Sequence, residues 1–330
     1  MTSLLELREK LRIFYGKYEL YVVAGTKFIL GLIVFFIINS EIGYMEQLNH
    51  PAVSLLLSLI CTFLPINAMV VLAVGLILLH LFALSLEACA IGLCLFLLML
   101  FMYLKFAHQN GYSIILTPML CFFGIPQIMP VAVGMLKKPS AYLSVLCGAI
   151  TYFYLKGVQE NIVNFTSTEE TEGFYKFTAA LKVLTENKEM YLVVAVFFIT
   201  SLIVYIIRRR AVNYAWKIAL FAGNIVELLI LLVGYILLDM SEQIFWVVIG
   251  TLVSIVISFI LEFFLYNLDY SRIERVQFED DEYYYFVKAV PKVFVAKRDK
   301  KVKRITPKKR TTVNRRELAE ELDIDQDLLE

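Results

Sequence analysis

Two polar side chains that share one face of a predicted membrane helix are the strongest candidates for chemistry in this sequence. Asn224 and Glu227 lie in the apolar run LFAGNIVELLILLVGYILL, at a spacing of three that makes them neighbours on a helix surface. An ionisable group near a helix centre costs about 2.5–3.5 kcal/mol on membrane-insertion scales, so it is a functional candidate. The pair predicts a site that binds a cation or carries a proton. The alternative is structural, a hydrogen bond from a protonated Glu227 to a neighbouring helix.

Two amides, Asn67 and Gln127, lie beside helix-breaking residues in other apolar runs, at LPIN (64–67) and GIPQIMP (124–130). The breaking residues of the two runs are Pro65, Gly124, Pro126 and Pro130. Proline removes a backbone donor, and in lipid the freed carbonyl groups need cover from protein or from a water-filled cavity. Paired broken helices therefore predict a transporter-like binding site that Asn67 and Gln127 would line. The alternative is two structural kinks, in which the amides only satisfy loose backbone groups.

The sequence contains no recognisable catalytic or metal-binding motif. A Walker loop, HExxH and Gly-x-Ser-x-Gly are all absent, and the three histidines are too scattered to form a metal site. The five cysteines lie in apolar segments without a CxxC pair, which is typical of small buried side chains. The sequence therefore favours a protein that is not an enzyme and that uses no metal or other cofactor.

The elements that must position these residues are membrane helices. Hydrophobic residues make up 59% of the 330-residue chain, against about 45–50% in an ordinary soluble domain. Runs of about 20 apolar residues predict an all-α polytopic membrane protein with about eight transmembrane helices, two of them broken. The predicted spans are 21–39, 51–84, 85–106, 113–136, 141–155, 190–207, 216–238 and 244–267. The stretch 51–106 is ambiguous, because it has room for two passes or for three.

Basic residues in short loops predict which side of the membrane each loop faces. The N-terminal segment 1–20 is basic, and its apolar stripe predicts an amphipathic helix on the cytoplasmic membrane surface. Lys137-Lys138 and 208–210 predict two further cytoplasmic turns, whereas the acid-rich segment 158–189 is predicted to be an extracytoplasmic loop. Both termini are therefore predicted to be cytoplasmic, in a plasma membrane.

An internal repeat relates the two broken runs. A shift of 59 residues places 54–96 on 113–155 with 11 identities in 43 positions, including the triplet AVG. A duplicated unit with an even number of crossings keeps its orientation, so the alignment predicts a tandem repeat of a two-span unit within the membrane region 21–157. A three-helix membrane region, 190–267, follows the extracytoplasmic loop.

The C-terminal tail is polar and is predicted to be cytoplasmic. Segment 268–296 has two aromatic and β-branched runs around the acidic turn Glu279-Asp280-Asp281, which predicts a small β-hairpin. Segment 297–330 is first basic and then acidic, and its basic part predicts a surface for anionic lipid or for a cytoplasmic partner protein. Nucleic acid is the least favoured partner, and a homo-oligomer is compatible with the sequence. The basic residues are Lys300, Lys301, Lys303, Arg304, Lys308, Lys309 and Arg310.

The tail sequence RIERVQFEDDEYYYFVKAVPK resembles that of uncharacterised multi-span membrane proteins of Gram-positive anaerobic bacteria. The resemblance extends over the tail and part of the membrane region, and it implies a bacterial plasma membrane but no activity. Two classes of function remain. A permease or transporter component would use the broken helices and Glu227, whereas a membrane scaffold or assembly factor would recruit cytoplasmic partners through its tail.

Overall fold

The computed structural model describes residues 2–166, 173–210, 212, 214–265, 274–279 and 284–289, and it divides into two compact units, 1–267 and 268–330. The first unit is helical. Its helices are α1 (Thr2–Ile42), α2 (Pro51–Phe63), α3 (Ile66–Leu84), α4 (Leu86–Phe106), α5 (Gly111–Phe122), α6 (Ile128–Leu136), α7 (Tyr142–Glu160), α8 (Ile162–Thr166), α9 (Gly173–Thr185), α10 (Lys188–Arg208), α11 (Ala215–Leu237) and α12 (Glu242–Leu265).

Seven spans among the described residues are long and apolar enough to cross a membrane. They comprise α1 from Leu7 onward, α3, α4, α7, most of α9 together with α10, α11 and α12, and α2 is a shorter apolar helix. These helices confirm that the chain is a polytopic helical membrane protein.

The two ends of the helix bundle differ in charge. We call the end that carries Lys137 and Arg208 the basic end, and the end that carries Glu41 and Glu189 the acidic end. At the basic end, the Arg208 guanidinium donates a hydrogen bond of 2.8 Å to the Lys137 carbonyl, so α10 ends beside α6. At the acidic end, the Gln159 side chain donates to the Glu41 carbonyl at 3.3 Å, so α7 ends beside α1.

The first part of α1 contacts the last part of α12. The backbone of Tyr18 is non-helical, with φ −120° and ψ 24°, and α1 is kinked there. Arg8 donates a hydrogen bond of 3.3 Å to the Phe263 carbonyl and lies 5.6 Å from the centre of the Phe263 ring. The start of α1 and the end of α12 therefore lie at one end of the bundle, the basic end. That this end faces the cytoplasm remains a prediction.

Helices α2 and α3 form a first helical hairpin, which enters the bundle from the acidic end. Asn39 of α1 contacts the outer ends of both hairpin helices. The Asn39 side chain donates to Ser54 Oγ of α2 at 3.2 Å and bonds His80 Nε2 of α3 at 3.0 Å. Lys27, about three turns earlier on α1, donates to the Leu64 carbonyl at 3.0 Å. The chain therefore reverses direction between Phe63 and Ile66, where proline cannot continue α2.

Helix α5 rises from the basic end alongside α7. A Cβ atom added to Gly148 of α7 would overlap the Thr117 side chain, and the Phe122 and Tyr152 rings meet edge to face at 4.9 Å between centres. Thr117 contacts Gly148, and the later residue Phe122 contacts the later residue Tyr152, so α5 and α7 are parallel.

Helix α6 returns to the basic end, so α5 and α6 form a second hairpin. Ser201 of α10 donates to the Pro130 carbonyl at 3.1 Å, and seven residues later Arg208 reaches the end of α6. Gly124 makes the reversal possible, because its φ of +72° lies in the left-handed region that favours glycine. The Ile125 amide donates back to the Leu120 carbonyl at 3.0 Å, which is the bond of a Schellman cap.

The two hairpins correct the predicted course of the chain. At Pro65 and Gly124 the chain reverses, so neither interruption is a kink within a spanning helix. The ambiguous stretch 51–106 contains three helices, and the predicted span 113–136 returns to the end from which it starts. The stretches that align at a shift of 59 residues also run in opposite directions, which a parallel two-span duplication does not produce.

In the second unit the structure describes two antiparallel strands, β1 (Glu274–Glu279) and β2 (Tyr284–Ala289). Glu274 is opposite Ala289, and Glu279 is opposite Tyr284. The connection between the strands lies outside the described residues, and the complete hairpin of 268–296 remains a prediction. The basic part of 297–330 lies outside them as well.

Candidate functional site

Two groups of buried polar side chains in the first unit are candidate sites. The His80 cluster consists of Asn39, Ser54 and His80, near the acidic end of α1, α2 and α3. The Glu227 cluster consists of Gln127, Thr200, Asn224 and Glu227, which come from the tip of the second hairpin, α10 and α11. All seven side chains belong to residues that are at most 5% exposed.

Glu227 is completely buried, and neither of its carboxyl oxygens has a hydrogen-bond partner among the described residues. It lies near the middle of α11, one of the helices that are long and apolar enough to cross a membrane. Asn224 is also completely buried, and its amide nitrogen donates to the Leu220 carbonyl at 2.8 Å while its oxygen has no partner. The sequence predicted that these two residues share a helix face, and both are buried there.

Two glycines of α11 bring α10 unusually close. A Cβ atom added to Gly223 would overlap Val204, and one added to Gly234 would overlap Leu192. Gly234 follows Gly223 along α11, whereas its neighbour Leu192 precedes Val204 along α10, so the two helices run antiparallel. Small residues that allow close backbone approach are typical of contacts between membrane helices.

Thr200 of α10 lies in the same helix contact as Glu227, and it was not predicted from the sequence. Glu227 lies between Gly223 and Gly234 on one face of α11, and Thr200 lies between the α10 residues that those glycines meet. Thr200 is completely buried and its hydroxyl group has no hydrogen-bond partner in the described chain. Glu227 and Thr200 thus face the same contact between α10 and α11. A threonine in an apolar run is common in membrane helices, so the sequence offered no signal for it.

Gln127 lies at the tip of the second hairpin, against α12. A Cβ atom added to Gly250 would overlap the Gln127 Oε1 atom, which has no hydrogen-bond donor among the described residues. The Ser254 hydroxyl group donates to the Gln127 carbonyl at 3.1 Å. The Phe221 and Phe259 rings are 5.2 Å apart, which sets the register of the antiparallel α11 and α12. That register brings Ser254 to the depth of the middle of α11.

The structure brings Gln127, Asn224 and Glu227 to one set of helices, but Asn67 lies elsewhere. Asn67 is at the start of α3, at the basic end, where its oxygen accepts a hydrogen bond of 2.5 Å from Tyr103. Gly111, at the start of α5, lies against both side chains. The prediction that Asn67 and Gln127 line one site is therefore corrected. The two hairpins enter from opposite ends of the bundle, so their tips do not meet.

Pro126 and Pro130 belong to the turn and first residues of α6, and the Pro130 carbonyl is bonded by Ser201. Their positions explain why α6 starts only at Ile128. The predicted lipid- or partner-binding residues from Lys300 to Arg310 lie outside the described residues.

The His80 cluster is fully hydrogen-bonded. The Met45 amide donates to His80 Nδ1 at 3.2 Å, so the proton is on Nε2, which donates to the Asn39 oxygen at 3.0 Å. The Asn39 nitrogen donates to the Leu48 carbonyl at 2.9 Å and to Ser54 Oγ at 3.2 Å. This cluster joins α1, the first hairpin and the loop between them.

A polar cleft of about 610 Å³ opens at the acidic end, between the end of α7, α9, the start of α10 and the turn before α12. We call it the acidic-end cleft. Its charged side chains are Lys156, Glu160, Lys182, Glu186, Lys188 and Glu189.

The described part of the chain contains no group of three or more His, Cys, Asp or Glu side chains that could hold a metal ion. No family model, no curated protein and no solved structure matches the chain. The site that carries a functional hypothesis is therefore the Glu227 cluster, on the basis of its geometry.

Proposed function

We propose that this protein is a component of a cation-coupled membrane transporter, in which Glu227 binds the coupling cation, a proton or sodium. One observation carries the proposal: a completely buried carboxyl group in the middle of a membrane helix has no hydrogen-bond partner among the described residues. Ionisable groups inside membranes are expensive to bury and mark ion pathways and proton relays.

The chemistry of the neighbouring unpaired atoms supports a cation rather than an anion. They are Gln127 Oε1, the Thr200 hydroxyl oxygen, Asn224 Oδ1 and both carboxyl oxygens of Glu227. Amide, hydroxyl and carboxylate oxygens are the ligands that hard cations prefer. A buried oxygen without a donor is costly, so binding of a proton or a sodium ion would relieve that cost.

The arrangement of the two hairpins supports transport as well. Helices α2–α4 and α5–α7 correspond at a shift of 59 residues and begin at opposite ends of the bundle. We take them as two copies of a three-helix unit, because an odd number of crossings inverts the second copy. Inverted repeats with discontinuous helices at the substrate site recur in secondary transporters.

Carbodiimide labelling of Glu227 tests the proposal directly. N,N′-dicyclohexylcarbodiimide modifies protonated carboxyl groups in apolar surroundings, and mass spectrometry locates the modified residue. We expect labelling of Glu227 in the purified full chain to fall as the pH is raised through the pKa of this group. If sodium is the coupling ion, replacing choline by sodium at constant pH will also suppress labelling.

Ion flux into proteoliposomes provides the second measurement. An internal pH dye or sodium dye should report flux for the natural protein and for Glu46→Gln, which removes an exposed carboxyl group at the acidic end. Glu227→Gln should abolish the flux. If labelling of Glu227 depends on neither pH nor sodium, or if Glu227→Gln retains full flux, Glu227 is not the cation-binding residue.

The tail supports a second candidate function, that of a membrane scaffold. Residues 268–330 form a compact unit separate from the membrane unit, and they contain paired strands. A scaffold would lose its cytoplasmic partners when 268–330 are deleted, while ion flux and folding of the membrane unit persist. Purification in mild detergent from the native cell, with and without the tail, would reveal such partners.

A further inference from the structure

We infer that the acidic-end cleft is the entrance through which the cation reaches Glu227, and that Lys156, Glu189 and Tyr235 close its floor. The inference rests on the proposed function of Glu227. It adds the side of access and the residues that control it.

Glu189 lies at the floor of the cleft and is held from two sides. Its Oε2 atom is 3.3 Å from the Lys156 ammonium, and its Oε1 atom accepts a hydrogen bond of 3.2 Å from the Tyr235 hydroxyl group. The Glu189 side chain is only 13% exposed. The Lys156 side chain is 28% exposed, so a cation that enters the cleft can compete with Lys156 for Glu189 and open the floor.

Tyr235 connects the floor to the Glu227 cluster. It is 5% exposed and belongs to the face of α11 that also carries Glu227, two turns earlier along the helix. The helical rise over these eight residues is about 12 Å. Only one further turn, at Leu231, separates the two residues on this face.

The basic end is closed by contrast. The Arg208 guanidinium donates to the carbonyl groups of Met135 and Lys137 at the end of α6. It also lies 5.1 Å from the Tyr205 ring centre and 5.6 Å from that of Trp216. These contacts tie α6, α10 and α11 together on the basic side of Glu227.

The charged and titratable groups near each end of this route differ. Glu189 faces Lys156 of α7 and Tyr235 of α11, with Tyr152 and Cys121 within electrostatic range. The other side chains of the Glu227 cluster, Gln127, Thr200 and Asn224, are uncharged, as is Ser254, which bonds the Gln127 carbonyl. A change of pH at the acidic end therefore acts on Glu227 through the floor of the cleft.

Sealed membrane vesicles of the two opposite orientations test the side of access. Protease cleavage beyond the end of α12, which lies at the basic end, identifies the orientation. The pH is raised outside the vesicles only, and carbodiimide labelling of Glu227 is followed by mass spectrometry over time. We expect labelling to fall when the acidic end faces the changed solution and to stay constant in the opposite orientation.

Substitutions at the floor identify the route. Tyr235→Phe removes the hydrogen bond to Glu189 and should change the rate of the pH response by about tenfold, the equivalent of one hydrogen bond to a charged group. Tyr191→Phe is the matched control, because its hydroxyl group bonds the Leu184 carbonyl at the same end but away from the floor. Labelling at equilibrium should be unchanged in both, which verifies folding.

The outcomes separate the two proposals. A response from the basic end, or from both ends equally, would overturn the inferred entrance but leave Glu227 as the cation site. An equal effect of Tyr235→Phe and Tyr191→Phe would exclude Tyr235 from the route. Labelling that responds to pH on neither side would contradict the proposed function itself.

Discussion

The His80 cluster and the Glu227 cluster are both buried, but they differ in whether their polar atoms have hydrogen-bond partners. Every polar atom of His80 and Asn39 has a hydrogen-bond partner, and the partners come from three different segments. Gln127, Thr200, Asn224 and Glu227 each retain at least one oxygen without a partner in the described chain.

This difference separates a structural role from a functional one. A buried polar atom without a partner costs about 1–3 kcal/mol, so the Glu227 cluster lowers the stability of the fold. The close glycine contacts of α11 with α10 and of α12 with the hairpin tip offset that cost through packing. A satisfied network such as the His80 cluster instead holds its helices in one arrangement.

The largest expected effect on stability comes from breaking the satisfied cluster. His80→Leu leaves the Asn39 oxygen and the Met45 amide without partners, and we expect it to lower the free energy of unfolding by about 3 kcal/mol. Unfolding by SDS in mixed micelles measures the change. His108→Leu, at an exposed histidine, is the control and should change little. An equally small change in His80→Leu would show that the His80 cluster is not structural.

A smaller loss should follow from separating the helices around the Glu227 cluster. A Cβ atom in Gly223→Ala would overlap Val204, and overpacking of this kind costs about 1–3 kcal/mol. Gly75→Ala is the control, because no atom of the described residues lies within 4 Å of the added Cβ atom there. The same unfolding titration compares the two variants. If they are equally stable, α10 and α11 are not held by the close contact at Gly223.

The smallest effect on stability is expected at the residue that matters most for the proposed function. Glutamine has nearly the shape of a protonated glutamate, so Glu227→Gln should change the free energy of unfolding by less than about 1 kcal/mol. It should nevertheless abolish the cation response described above. A loss as large as that in His80→Leu would place Glu227 in a hydrogen-bonded structural network and remove the contrast between the clusters.

Much of the candidate site could be predicted from the sequence. Asn224 and Glu227 were identified because an amide and a carboxyl group are rare in a long apolar run. Gln127 was identified because it adjoins prolines. Thr200 was missed, since hydroxyl residues are common in membrane helices, and Asn67 was assigned to the wrong place. Its role depends on Tyr103, a residue 36 positions away that only packing of α3 on α4 brings near.

The sequence by itself determined that the protein is a helical membrane protein, where its helices are interrupted and which of them contains a carboxyl group. These properties follow from local composition, because hydropathy and the missing proline amide act within a few residues. Only the tertiary structure decided that the chain reverses at Pro65 and Gly124 rather than bending there. It alone decided that His80 finds hydrogen-bond partners while Glu227 finds none among the described residues. Both outcomes depend on which distant helices lie alongside, and no local pattern encodes those contacts.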